Sequence, residues 1–131
     1  MKSNFEYQYD FEWLRDPRNT SVQQNVQEFI DVVGQEPDDI LYMKLIQEEF
    51  DEFWDSDPDA PEHELKEMCD LVYVIYGYAI SKGYNMDEAF RRVHENNIGR
   101  CVQENGSVKY RRDGKVMKNE DYPPVDLGDC V

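Results

Sequence analysis

Apolar residues recur at helical spacing along most of the chain, and the residues between them mark four helices followed by a short non-helical tail. Val22–Val33 places Val26, Phe29, Ile30 and Val33 on one face and meets Gly34 where a helix would stop. A second helix is predicted from about Pro37 to Trp54, closed by the turn-rich DSDPDAP at 55–61. A third runs from about Glu62 to Lys82, with Gly83 as its C-terminal cap. Asn85 and Glu88 have capping-box spacing for a fourth, on which Met86, Ala89, Phe90 and Val93 share a face. Beyond Gly99, the alternation in SVKYRRDGKVM around Asp113-Gly114 predicts a small β-hairpin. With no repeat or low-complexity linker, the expectation is one all-α domain over residues 1–131. Its core is a four-helix bundle at about 22–98, and its basic tail, hairpin or extended, lies at about 99–131.

The second helix raises a chemical problem, because LIQEEFDEFW (45–54) mixes large apolar side chains with four carboxylates. At about 100° per residue, with Leu41 at zero, Leu45, Tyr42, Phe53, Ile46 and Phe50 fill the buried arc from about 40° to 180°. Glu48 and Asp51 fall on the polar side and read as solvated charge. Glu49 falls inside the apolar arc and Glu52 on its border, where an unpaired carboxylate costs several kcal/mol unless a cation or donor compensates it. The third helix repeats the anomaly: in MCDLVYVIYGYAI (68–80) Asp70 is the only charged residue, and the apolar residues surrounding it predict a buried central helix. Glu67 projects about 60° from Asp70 on the same face. Gly77, at the azimuth of Asp70 two turns on, leaves space beside the acid. A structural ion pair could explain one such carboxylate, but only Lys44 and Lys66 stand near the expected faces. Converging carboxylates without enough cations suit a hard divalent ion, and Mg²⁺ with retained waters would then meet substrate phosphates.

Charge and composition sharpen this picture. The formal charge of −15 disfavours a general nucleic-acid binder, because phosphate neutralisation by Lys and Arg supplies most of that affinity. Eleven acids fall between Glu48 and Asp70 against the single Lys66, whereas eight of the fourteen Lys and Arg residues fall between Arg91 and Lys118. Three scattered cysteines, Cys69, Cys101 and Cys130, lack disulfide-scaffold or zinc spacing and fit a reducing cytosol. No apolar run approaches a membrane span, and MKSNFEYQYD lacks the regions of a signal peptide, so a cytoplasmic protein without membrane contact is expected. Cys69 reads as core and His94 as a structural residue, not a ligand. Trp13, Trp54 and the tyrosines could stack on a base, although packing is the commoner role.

EEFDE (48–52) followed by EMCD (67–70) is the pattern EExxE then ExxD on consecutive helices, and DLVYVIYG follows it. In these motifs the chain resembles the all-α nucleoside triphosphate pyrophosphohydrolases, specifically MazG-like proteins of the type common in bacteriophages. The likeness continues through VHENN (93–97) and DGKVMKNEDYPP (113–124) and covers most of the chain from about Val22. It departs at Arg100, where many relatives have lysine. The resemblance implies the four-helix fold of that family and carries its metal ligands over to Glu49, Glu52, Glu67 and Asp70, the residues that the helical wheel had selected. It also implies Mg²⁺-dependent hydrolysis of (deoxy)nucleoside triphosphates to monophosphate and pyrophosphate, with Mn²⁺ a possible substitute. In that reading Glu49 or Glu52 orients the attacking water.

Asn97 and Arg100, on the azimuth of Met86 and Val93, are candidate substrate contacts, and so are Lys115 and Lys118 in the tail. Their bland alternatives are a helix cap, a surface arginine and solvent-exposed lysines. A phosphoribosyl-ATP or dUTP-specific hydrolase could share the scaffold. An acidic DNA mimic is the alternative of a different class, but it would need its carboxylates outside. A calcium loop lacks support, since DSDPDAPEHE has proline where such a loop needs glycine. The all-round apolar third helix and the relatives' habit of building bundles across subunits predict a homodimer or homotetramer.

Overall fold

The computed structural model describes residues 16–131. Among the described residues there are four α-helices: α1 Val22–Val33, α2 Asp39–Trp54, α3 Pro61–Ser81 and α4 Met86–Cys101. They precede an antiparallel hairpin of β1 Lys109–Tyr110 and β2 Val116–Met117, and 3-10 turns lie at Pro17–Asn19 and Gly128–Cys130. The fold class is all-α with a small C-terminal hairpin, as expected. None of the described helices is long and apolar enough to cross a membrane. Trp13 lies outside the described residues. The chain forms two compact units, the first ending at Met86 and the second covering Asp87–Val131.

Local signals set the helix ends of the first unit. Ser21 and Gln24 form a reciprocal capping box: the Gln24 amide N–H donates to Ser21 Oγ at 3.1 Å and the Ser21 N–H to Gln24 Oε1 at 2.8 Å. Gly34 closes α1 in the left-handed region at φ 67°, a conformation that side chains with a Cβ resist. Asp38 caps α2 by accepting from the Leu41 N–H at 2.9 Å, and Pro61 opens α3 with its fixed φ.

Val26, Ile30, Tyr42 and Tyr76 form the buried core, with Leu45, Val74, Tyr78 and Ile80 packed around it. α3 packs against both α2 and α1. The contact with α2 is close at Gly77, where the ring of Tyr42 occupies the volume that a Cβ would need. Tyr42 is held there by donating its hydroxyl to Gln35 Oε1 at 2.6 Å. Gly77 therefore serves helix packing, and the space expected beside Asp70 is filled by an aromatic ring.

Two expectations about burial fail for one reason. Among the described residues α1 and α2 are the helices packed extensively on α3, and within one chain they leave a face of it open: Glu67, Tyr76, Gly77 and Ala79 are buried, whereas Leu65, Met68, Val72 and Cys69 are exposed. Cys69 is thus not a core residue. On α2, Tyr42 is buried and Leu45, Ile46 and Phe53 are half-buried, but Phe50 is exposed and stacks on Trp54 with ring centroids 6.1 Å apart. An apolar groove of about 390 Å³ runs between α1 and α3, lined by Val22, Val26, Leu65, Met68, Val72 and Tyr73 among others.

In the second unit the tail folds back along α4. Arg92 bridges Glu88 and Asp129, and Asn96 Nδ2 donates to the Pro123 carbonyl at 2.8 Å. The Tyr122 ring fills the space beside Gly99. The hairpin pairs Lys109 with Met117 and Tyr110 with Val116 around the predicted Asp113-Gly114 turn. α4 runs on past Gly99 to Cys101, and Phe90, expected on its buried face, is exposed.

Adding a methyl group at Gly77 forces Tyr42 or the helices apart. Gly77→Ala should destabilise the protein by about 1–3 kcal/mol, the usual range for overpacking. Urea denaturation checks this, and an unchanged midpoint would mean that the close α2–α3 contact is absent.

Candidate metal centre

The close packing of α2 on α3 brings Glu49, Glu52 and Glu67 together. One carboxylate oxygen from each lies within 4.8 Å of the others. Glu49 and Glu52 are three residues apart on α2 and so share a face, while Glu67 projects from α3. The three differ in burial: Glu52 is exposed, Glu49 half-buried, and Glu67 only 6% exposed.

The buried oxygens carry the chemical argument. Glu49 Oε2 and Glu67 Oε2 are both shut off from solvent and have no hydrogen-bond partner. Glu67 Oε1 lies 3.2 Å from His63 Nε2, one helical turn earlier on α3, so histidine holds one oxygen while Oε2 stays unmatched. Burial pushes the Glu49 carboxyl above its ordinary range; the charge of Glu52, a proton shared with Glu52, and then the charges of Asp70 and Glu67 push it further. Each of these influences penalises negative charge, and none compensates it. A divalent cation supplies the missing charge, and an all-oxygen donor set is what Mg²⁺, Mn²⁺ or Ca²⁺ prefers. The residues fit such an ion.

The resemblance implies four metal ligands, and the structure sets one of them apart. Asp70 is half-buried and pairs with Lys66, whose Nζ lies 2.5 Å from Asp70 Oδ2. It stands outside the group of three, although Glu49 still feels its charge. The intrahelical i,i+4 pairing explains the difference, since it satisfies Asp70 locally. Glu48 and Asp51 are exposed, as expected, and Asp51 accepts from Gln47 Nε2 at 3.0 Å.

The proposed substrate contacts all belong to the second unit. Asn97, Lys115 and Lys118 are exposed, Asn97 even though it shares the azimuth of Met86 and Val93. Arg100 is half-buried; its Nη1 donates to Asn96 Oδ1 at 3.5 Å, and its Nε is buried without a partner. His94 is exposed. Sequence reasoning missed His63, although its position four residues before Glu67 was a usable signal.

The electrostatics of Glu49 predict a pH dependence. Its folded-state value is raised above the ordinary 4.5, so between those two values the folded chain holds more protons than the unfolded chain, and stability falls as pH rises. In metal-free protein the melting temperature should fall on going from pH 4.5 to neutrality, and Glu49→Gln should flatten that fall. Mg²⁺ should raise the melting temperature at neutral pH and have little effect at pH 4.5. An identical Mg²⁺ effect at both pH values would contradict the assignment.

Comparison with curated proteins returned no match. Residues 6–97 match the family described as phosphoribosyl-ATP pyrophosphohydrolase. The match begins well before Val22, where the motif resemblance starts, and it contains Glu49, Glu52, Glu67 and Asp70 but stops short of the tail. The chain therefore belongs to the phosphoribosyl-ATP pyrophosphohydrolase family, an all-α nucleotide pyrophosphohydrolase family related to MazG.

Proposed function

We propose that the protein hydrolyses nucleoside triphosphates between the α and β phosphates, using Mg²⁺, or Mn²⁺ in its place, held by Glu49, Glu52, Glu67 and Asp70. The observation that carries this reading is the pair of buried, unpartnered oxygens on Glu49 and Glu67 within a pyrophosphohydrolase family match. When bound, the cation supplies charge neutralisation for the phosphates and acidifies a water. Glu49 or Glu52 orients that water and accepts its proton as its oxygen attacks the α phosphorus. The bond from that phosphorus to the bridging oxygen breaks in line, and pyrophosphate leaves. Glu67 and Asp70 hold their positions from α3. Asn97, Arg100, Lys115 and Lys118 are the proposed substrate contacts, on the strength of their chemistry and of the MazG-like motifs around them.

The phage-type motif DGKVMKNEDYPP in the tail favours ordinary ribo- or deoxynucleoside triphosphates. The name of the matched family favours phosphoribosyl-ATP, which carries the same triphosphate linkage, as the second reading. An acidic DNA mimic is disfavoured because Glu67 is buried.

A substrate panel of nucleoside triphosphates and phosphoribosyl-ATP, with product identification, separates these readings. Monophosphate and pyrophosphate should be the primary products, and diphosphate with orthophosphate would exclude attack at the α phosphorus. Glu67→Gln should remove nearly all hydrolysis while leaving a folded protein. Calcium should support turnover poorly, given its looser coordination.

We also propose a homodimer or homotetramer. The exposed apolar side chains Val22, Leu65, Met68 and Val72 around the α1–α3 groove support it, since contiguous apolar surface of this kind is costly in water. Sedimentation at low micromolar concentration should show no stable 15.6 kDa species, and an active monomer would refute it.

A further inference from the structure

We propose that Lys66 is a built-in counterion that competes with the divalent cation for Asp70, and so sets how tightly the centre binds metal. The inference rests on the metal-centre reading above and concerns a residue that this reading leaves without a role. Lys66 Nζ lies 2.5 Å from Asp70 Oδ2, four residues on along α3. Asp70 is the member of the expected ligand set that stays outside the group of Glu49, Glu52 and Glu67. The group of three is more than an acidic patch, because Glu67 is 6% exposed and its Oε2 has no partner.

Lys66 is also the one lysine or arginine in the acidic run from Glu48 to Asp70. Its ammonium is held in the charged form first by its hydrogen bond to Asp70 and then by the charge of Asp70, with smaller contributions from Glu67 and Glu49. The ammonium therefore responds to three of the four anions that a metal ion would meet. A cation that recruits Asp70 must first break the Lys66 pair and must also approach against the charge of the ammonium. Both effects act in the same direction, so Lys66 weakens metal binding. In return it neutralises Asp70 when no metal is bound. Lys66 is a positioning residue in this scheme, since its larger effect is exerted through Asp70.

The test is calorimetric titration of the whole protein with Mn²⁺ alone, without nucleotide, so that no catalytic readout enters. Lys66→Met keeps a straight, helix-compatible side chain at an exposed position and should fold. It should bind Mn²⁺ about two- to fivefold more tightly than wild type, the range set by exposed ion pairs. Lys66→Arg, which retains the pair, should stay close to wild type. In an Asp70→Asn background, Lys66→Met should give a clearly smaller gain, because only the repulsion by the ammonium is left to relieve. Unchanged or weaker binding by Lys66→Met, or a full gain in the Asp70→Asn background, would overturn the proposal. Glu67→Gln distinguishes the two levels of failure. If wild type binds and Glu67→Gln does not, a missing Lys66 effect refutes Lys66 alone. If wild type and Glu67→Gln bind equally poorly, the metal centre falls and the proposal falls with it.

Discussion

A buried carboxylate with an unmatched oxygen is the constraint around which the first unit is organised. Glu67 sits at 6% exposure on α3, with one oxygen near His63 and the other facing no donor, and Glu49 Oε2 on α2 is in the same condition. Each buried group left without a partner costs about 1–3 kcal/mol, and more if it is charged. Two of them consume a substantial part of the roughly 5–15 kcal/mol that stabilises a typical domain. Packing alone gives no reason to keep such groups, because an apolar residue of similar volume would serve it better. A bound cation does, since it turns the least favourable feature of the fold into its binding site.

The rest of the unit makes that juxtaposition possible. Glu67 and Asp70 come from one helix and Glu49 and Glu52 from another, so the site exists only if α2 and α3 approach closely. The absence of a side chain at Gly77 permits this, the Tyr42 ring fills the contact, and Gln35 anchors the ring through its hydroxyl. The Asp38 cap and Pro61 set where the two helices begin, and hence the register in which their acids face one another. Local capping, helix packing and candidate chemistry are thus successive consequences of a short list of residues.

Much of this was legible in the sequence because it depends on local rules. The bounds of α1, the turn at 55–61 and the Asp113-Gly114 hairpin follow from caps, breakers and alternation. The anomalous position of Glu49 follows from the helical wheel alone. Properties that depend on which helices touch were not legible. A wheel shows that α3 is apolar on every side but not which of its faces the neighbouring helices cover, so Cys69 and Met68 were expected inside and are exposed in the single chain. Likewise the wheel places Asp70 beside Glu67, yet a lysine one turn away competes for it, and only side-chain coordinates reveal which contact wins. Gly77 carried a true signal of close approach, but the sequence could not say that Tyr42 was the visitor.

The central claim is that Glu49, Glu52 and Glu67 together hold a divalent cation. Diffraction from crystals grown with Mn²⁺, recorded at a wavelength where manganese scatters anomalously, tests it without reference to substrate or turnover. The account predicts an anomalous peak at coordination distance from an oxygen of each of the three, with Glu67 Oε2 among the ligands. A map with no peak there, and Glu67 Oε2 hydrogen-bonded instead to a protein group or to a proton shared with Glu49, would contradict it.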